Sequence, residues 1–281
     1  MAGRFTRITA PVITAPIIAA LVIAVALSAG FLAGALAAEP ASPPPDGPAC
    51  NAPPDIGRLA TPLPRLASRL RAGEPVTIVA IGSSSTAGAY ATSIRATYPS
   101  RLAGELLRRF PGSSIRVINS GVNGDEVDEM LRRFHQQVFD YRPDLVVWQL
   151  GTNGLLRDID PLLFETSVRS GLQRIRSAQS DVVLMDLQYA PRVLAAPAYP
   201  AMLERIEALS RAGGVPVYHR FAVMQDWSRR MGADYRTMIA PDGLHQTDRS
   251  YACLAADLGR AIADAVARAR PEPLAPRKAA D

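Results

Sequence analysis

Short apolar runs recur along the chain at 76–81, 115–119, 145–150, 182–187 and 215–218, each rich in valine, isoleucine or leucine and nearly free of polar alternation. A strand buried on both faces needs that continuous apolar character, so the pattern predicts a parallel sheet. Amphipathic segments fill the gaps. Asp160-Pro161 marks an N-cap and first turn, and Gly213-Gly214 closes a segment that starts near Pro200. Leu254, Leu258, Ile262 and Val266 are spaced by four along one face of the last helix. Another helix is expected over 126–139, carrying His135. Strands alternating with helices imply right-handed crossovers and an α/β fold, a three-layer αβα sandwich with a central, mainly parallel sheet of about five strands. Ligands then gather at the carboxyl ends of the strands.

The two ends of the chain read differently. Arg4 and Arg7 precede 28 uncharged residues, Pro11 to Ala38, which finish on the small-residue exit Ala35-Leu36-Ala37. This is the layout of an export signal, and its length also suits an uncleaved anchor. The sequence therefore divides into a signal peptide or N-terminal anchor (1–38), a proline-rich linker (39–55), one globular domain (56–270) and a disordered tail (271–281). In both readings of the N-terminus the domain is exported, periplasmic or secreted, and touches a membrane only through residues 11–38 if these are retained.

Composition removes several function classes. The formal charge is +5, but without Arg4, Arg7 and the tail it falls to about +2, with no basic run, so nucleic acid is not an expected partner. Lys278 is the sole lysine, which excludes a serine-lysine dyad. His135, His219 and His245 are scattered and no CxxC occurs, so no metal or cofactor is expected. Cys50 and Cys253 suit a disulfide tying the entry segment to the last helix, or two free thiols. Spacing does not choose between them.

The candidate chemistry lies at three strand ends and in one C-terminal loop. Gly82-Ser83-Ser84-Ser85-Thr86 follows the first run, Asn119 to Gly124 the second, and Gly151-Thr152-Asn153 the third; Asp242-Gly243-Leu244-His245 comes last. A serine at a strand end and a histidine three residues after a carboxylate are the parts of an activated nucleophile. Each stretch alone also reads as ordinary turn chemistry. His135 and His219 read as surface or satisfied residues, His135 because no orienting carboxylate is near it in sequence and His219 because it is expected on the wrong side of the sheet. Trp148, Leu155, Leu156 and Tyr189 are either substrate-facing or core. No GxSxG elbow is present.

Taken together and in this order, the four stretches resemble the motif blocks of the SGNH, or GDSL, hydrolases over roughly residues 74–265. The resemblance implies a flavodoxin-like sandwich and an exported serine esterase. Ser84 would be the nucleophile, His245 the general base and Asp242 its orienting carboxylate. The Ser84 and Gly124 backbone N–H groups and the Asn153 amide would form the oxyanion hole. Short acyl esters, on a small molecule or a polysaccharide, are the expected substrates. Ser83 and Gly154 stand where the family usually has aspartate. An O-acyltransferase using the same triad, or a non-catalytic carbohydrate-binding module, would share the pattern.

Overall fold

The computed structural model describes residues 50–270. The expected signal or anchor, most of the expected linker and the tail lie outside the described residues. Five strands form one sheet: β1 (Val76–Gly82), β2 (Ile115–Gly121), β3 (Leu145–Gln149), β4 (Asp181–Met185) and β5 (Val217–Tyr218). Every pairing is parallel, and the strand order is β2-β1-β3-β4-β5. This is the flavodoxin-like order, whose topological switch point is the crevice between β1 and β3.

The apolar runs become strands because the two-residue side-chain period serves two cores at once. Ile78 and Ala80 of β1 join Leu145, Val147, Val183 and Met185 on one face, under the helices Pro64–Arg71, Tyr98–Arg109, Arg220–Met231 and Asp248–Arg268. Val79 and Ile81 join Val146, Trp148 and Leu184 on the other, under Val127–Arg132, Pro161–Ser177 and Tyr199–Gly213. Strands covered on both faces have no solvent side on which to alternate. The stripe Leu254, Leu258, Ile262 and Val266 is buried, Asp160 accepts from the N–H groups of Leu162 and Leu163, and Gly214 closes its helix in the left-handed region.

Three of the boundaries that differ from the sequence expectation have a local physical cause. β5 has two residues instead of four, because Pro216 has no N–H for the ladder. β4 stops before Asp186, whose carboxylate accepts the Phe221 N–H and whose carbonyl accepts two donors from Arg220. The folded unit also starts earlier than Ile56. Cys50 and Ala52 are buried, Trp227 Nε1 donates to the Cys50 carbonyl at 3.0 Å, and the Ala52 N–H donates to Asp257 at 3.1 Å. Residues 50–55 are therefore packed onto the last helix and are not linker.

Cys50 and Cys253 are joined in a disulfide with a Cα–Cα distance of 5.0 Å and 203 residues between them in sequence. Closing so long a loop removes much of the unfolded chain's freedom. The double substitution Cys50→Ser/Cys253→Ser is expected to lower unfolding free energy by about 2–4 kcal/mol. Urea titration checks this, and coincident midpoints for both proteins would contradict it.

Candidate active site

β1 ends at Gly82 and the chain turns at Ser83 into the one-turn helix Ser84–Ala87, closed by Gly88 at φ 97°. The turn is fixed from beneath by Gln149 of β3. Its Oε1 accepts from the Ser83 N–H at 2.9 Å, the Ser83 hydroxyl at 3.1 Å and the Thr86 hydroxyl at 3.3 Å. These bonds turn Ser83 inward, to 3% exposure, and Ser85 is buried at 1%, so of the three serines only Ser84 is open to the solvent side. The helix then packs hard on β2, since a Cβ placed on Gly121 would lie 2.1 Å from the Ala87 nitrogen.

Asp242 organises the last loop through its own backbone. Its Oδ1 accepts the N–H groups of Leu244 and His245, each at 3.0 Å, while Oδ2 lies 2.5 Å from His245 Nδ1. Burial pushes the Asp242 carboxyl up. The backbone N–H of His245, its imidazole and the Leu244 N–H outweigh this, so the group titrates below the ordinary aspartate range. An ionised Asp242 holds the proton of His245 on Nδ1, leaving Nε2 to accept. Nε2 lies 2.7 Å from Ser84 Oγ. Ser84, His245 and Asp242 therefore stand in one hydrogen-bonded line spanning 161 residues of sequence.

In the loop after β2, Gly124 adopts φ 85°, a backbone region open to glycine, and Asn153 lies in the short helix Thr152–Leu156 after β3. Asn153 Nδ2 donates to the Asp125 carbonyl at 3.0 Å, which couples the two loops and leaves its second amide hydrogen free for another acceptor. Among the described residues, no three His, Cys, Asp or Glu side chains are grouped to hold a metal ion. The roughly 500 Å³ cavity lined by Arg65, Gln179 and Asp181 opens at the amino ends of the strands, away from Ser84.

Two side chains of this region carried no sequence signal. Tyr90, at φ 64° and half exposed, stacks on the His245 ring with centroids 5.6 Å apart and planes at 22°. Arg133 interrupts the helix expected over 126–139, which is split into Val127–Arg132 and Phe134–Gln137. Its guanidinium donates to the carbonyls of Gly82 at 3.0 Å and Ser120 at 2.6 Å, and to Gln137, and pairs with Asp125 at 2.6 Å. One arginine thus ties the ends of β1 and β2 to the loop of Gly124.

The other histidines are placed differently from expectation. His135 does have a carboxylate nearby, Asp140 at 3.4 Å, but both are exposed. His219 follows β5 at the same carboxyl edge as Ser84, not on the opposite side, because all five strands are parallel. It lies 3.5 Å from Asp186 and 3.7 Å from Glu207. The Asp186 hydrogen bond raises its pKa over the opposing effect of burial. Trp148 and Leu155 belong to the core, and Leu156 and Tyr189, partly buried, pack against it.

Comparison with known proteins adds three findings. A model of the non-GDSL lipase-like family matches residues 49–268. An arylesterase of Vibrio mimicus is 31% identical over 114 residues, 41% of this chain and 56% of that protein; an esterase TesA of Pseudomonas aeruginosa is 30% identical over 135 residues, 48% and 63%. The chain thus spans less than two thirds of these curated relatives. Among solved structures, a two-domain esterase active on acetylated mannans superposes with TM-score 0.61 at 20% identity, covering 80% of this chain and 58% of that one. A TesA crystal structure superposes with TM-score 0.57 at 22% identity, covering 67% and 99%. These likenesses identify the fold.

Arg133 and Asp125 are each only 12% exposed, so removing one leaves the other charge without its partner. Arg133→Met is expected to cost about 3 kcal/mol or more in urea unfolding. A loss below about 1 kcal/mol, the size of a surface pair, would show that the clamp contributes little.

Proposed function

The chain belongs to the non-GDSL lipase-like family, and from that premise we propose that it is an exported serine esterase acting on acyl esters. The observation that carries this reading is the line from Ser84 Oγ through His245 Nε2 and Nδ1 to Asp242, at 2.7 and 2.5 Å. Ser84 Oγ attacks the ester carbonyl carbon while His245 Nε2 takes its proton. The imidazolium so formed is stabilised by Asp242 and faced by the Tyr90 ring. The carbonyl oxygen, now an anion, is received by the N–H groups of Ser84 and Gly124 and the free amide hydrogen of Asn153. The bond to the alcohol oxygen then breaks as Nε2 returns the proton to it. Water, deprotonated by the same histidine, releases the acid and restores Ser84.

Short acyl groups on a carbohydrate are the substrates we propose for this partly exposed serine. The two-domain esterase that shares this fold acts on acetylated mannans, which supports that preference. Relatives named as thioesterase and lysophospholipase make longer acyl chains the competing outcome. Export rests on the apolar stretch after Arg7, and the Cys50–Cys253 disulfide suits an oxidising compartment.

Hydrolysis of p-nitrophenyl acetate, butyrate and octanoate tests the reading. Turnover is expected to be fastest on acetate and to vanish in Ser84→Ala, while Asn153→Ala is expected to lower kcat about 10²–10³-fold with the fold intact. Turnover retained by Ser84→Ala would remove Ser84 from the chemistry. Absence of release by folded wild-type protein, with transfer to an added sugar, would favour the acyltransferase.

A further inference from the structure

The loop that follows Gly124 carries a carboxyl group that the mechanism above does not use. Glu126 caps the helix Val127–Arg132, with a reciprocal bond in which the Glu126 N–H donates to Glu129 Oε2 at 2.6 Å. Its Oε2 occupies the place a side chain on residue 154 would take, 3.0 Å from the position of a Cβ on Gly154. Its Oε1 is buried and has no hydrogen-bond partner among the described residues. Asn153 donates to the carbonyl of Asp125, the residue before Glu126. Residues 125 and 126 thus hold residues 153 and 154 at two adjacent points, one through a backbone carbonyl and one through a carboxyl group.

We infer that Glu126 is a positioning residue for the Asn153 donor, with its carboxyl packed against Gly154 to keep the Gly124 and Asn153 loops in register. This rests on the esterase reading, and Glu126 acts through Asn153 without touching the reacting atoms. The physical ground is the cost of a buried charge. A neutral carboxyl packs against Gly154 at less cost than an ionised one, which would leave Oε1 charged as well as buried and unpaired. The ionised group is then drawn outward, away from residue 154.

The charged groups facing it are Arg157 from the Asn153 segment, and Glu129 and Asp128 on its own helix. Burial pushes the Glu126 carboxyl up to about 7; Arg157 draws it down, and Glu129 and Asp128 push it further up. Its folded value therefore lies above the ordinary carboxylate range. The sign follows: the neutral form favours the folded state, and that contribution falls away as pH rises from the ordinary carboxylate range through about 7. Glu126→Gln removes this slope.

The experiment compares wild type, Glu126→Gln, Glu126→Ala and Ser84→Ala between about pH 6 and about pH 9, recording kcat and KM on p-nitrophenyl acetate together with the side-chain amide resonance of Asn153. Wild-type kcat is expected to fall on the alkaline side. Glu126→Gln, which keeps the shape and stays neutral, is expected to lose that fall, and Glu126→Ala to lower kcat about tenfold at every pH with KM little changed. The Asn153 amide signal is expected to move with the Glu126 titration and to stay fixed in Glu126→Gln. Wild-type profiles in both Glu126 variants, or an Asn153 signal that ignores the titration, would overturn the inference. Turnover retained by Ser84→Ala would instead overturn the esterase reading, and the Asn153 resonance would still decide the role of Glu126.

Discussion

The site depends on one constraint: β1 is paired in parallel on both sides. Its register sets Gly82 opposite Gly121 of β2 and Ile81 opposite Trp148 of β3. Three strands therefore end together, and the loops that follow must share the space above them. Each loop is then fixed by a neighbour's group: the Ser84 turn by Gln149 of β3, the Gly124 loop by Arg133 and the Asn153 helix by the Asp125 carbonyl. His245 comes from outside the sheet, so its loop carries its own support in Asp242, which binds two backbone N–H groups as well as the ring. Strand pairing thus brings the loops together, and short polar contacts set the positions of Ser84, His245 and Asp242.

This division decides what was legible in the sequence. Unbroken apolar runs such as Val76-Thr77-Ile78-Val79-Ala80-Ile81 could be placed because burial on both faces leaves a local mark. The four polar stretches could be placed because strand-end chemistry clusters next to such runs. Arg133, Glu126 and Tyr90 could not. Their partners are distant in sequence: Gly82 is 51 residues from Arg133, and His245 is more than 150 from Tyr90. The early start of the folded unit was hidden for the same reason, since proline-rich residues 50–55 resemble linker until Trp227, Asp257 and Cys253 are seen to hold them.

The two positions that depart from the family pattern now have physical accounts of different kinds. Ser83 places its N–H and its hydroxyl on one acceptor, Gln149 Oε1, so the nucleophile turn is tied to β3 by neutral groups. An aspartate there would set a carboxylate against that carbonyl oxygen, so Gln149 suits serine at position 83. Gly154 is different, because the space its side chain would fill holds Ile159 Cγ2 and Glu126 Oε2. A carboxyl oxygen from another loop thus stands 3.0 Å from where a Cβ on residue 154 would lie.

That carboxyl bears on the electrostatics of an oxyanion. Asp125, Glu126, Asp128 and Glu129 crowd the loop and first helical turn after Gly124, where negative charge would develop in the transition state. Two unit charges about 8 Å apart at an effective dielectric of about 20 repel by about 2 kcal/mol, close to the worth of one oxyanion-hole donor. Uncompensated carboxylates here would cancel much of what Asn153 contributes. Asp125 is neutralised by Arg133 at 2.6 Å, and Glu129 has Arg157 at 3.8 Å. Arg157 also draws the Glu126 carboxyl down, but burial outweighs it and favours the neutral form. In the esterase proposed above, the same burial that makes its ionised form costly would keep one further negative charge from the oxyanion, coupling the packing of the Gly154 turn to the electrostatics of the reaction.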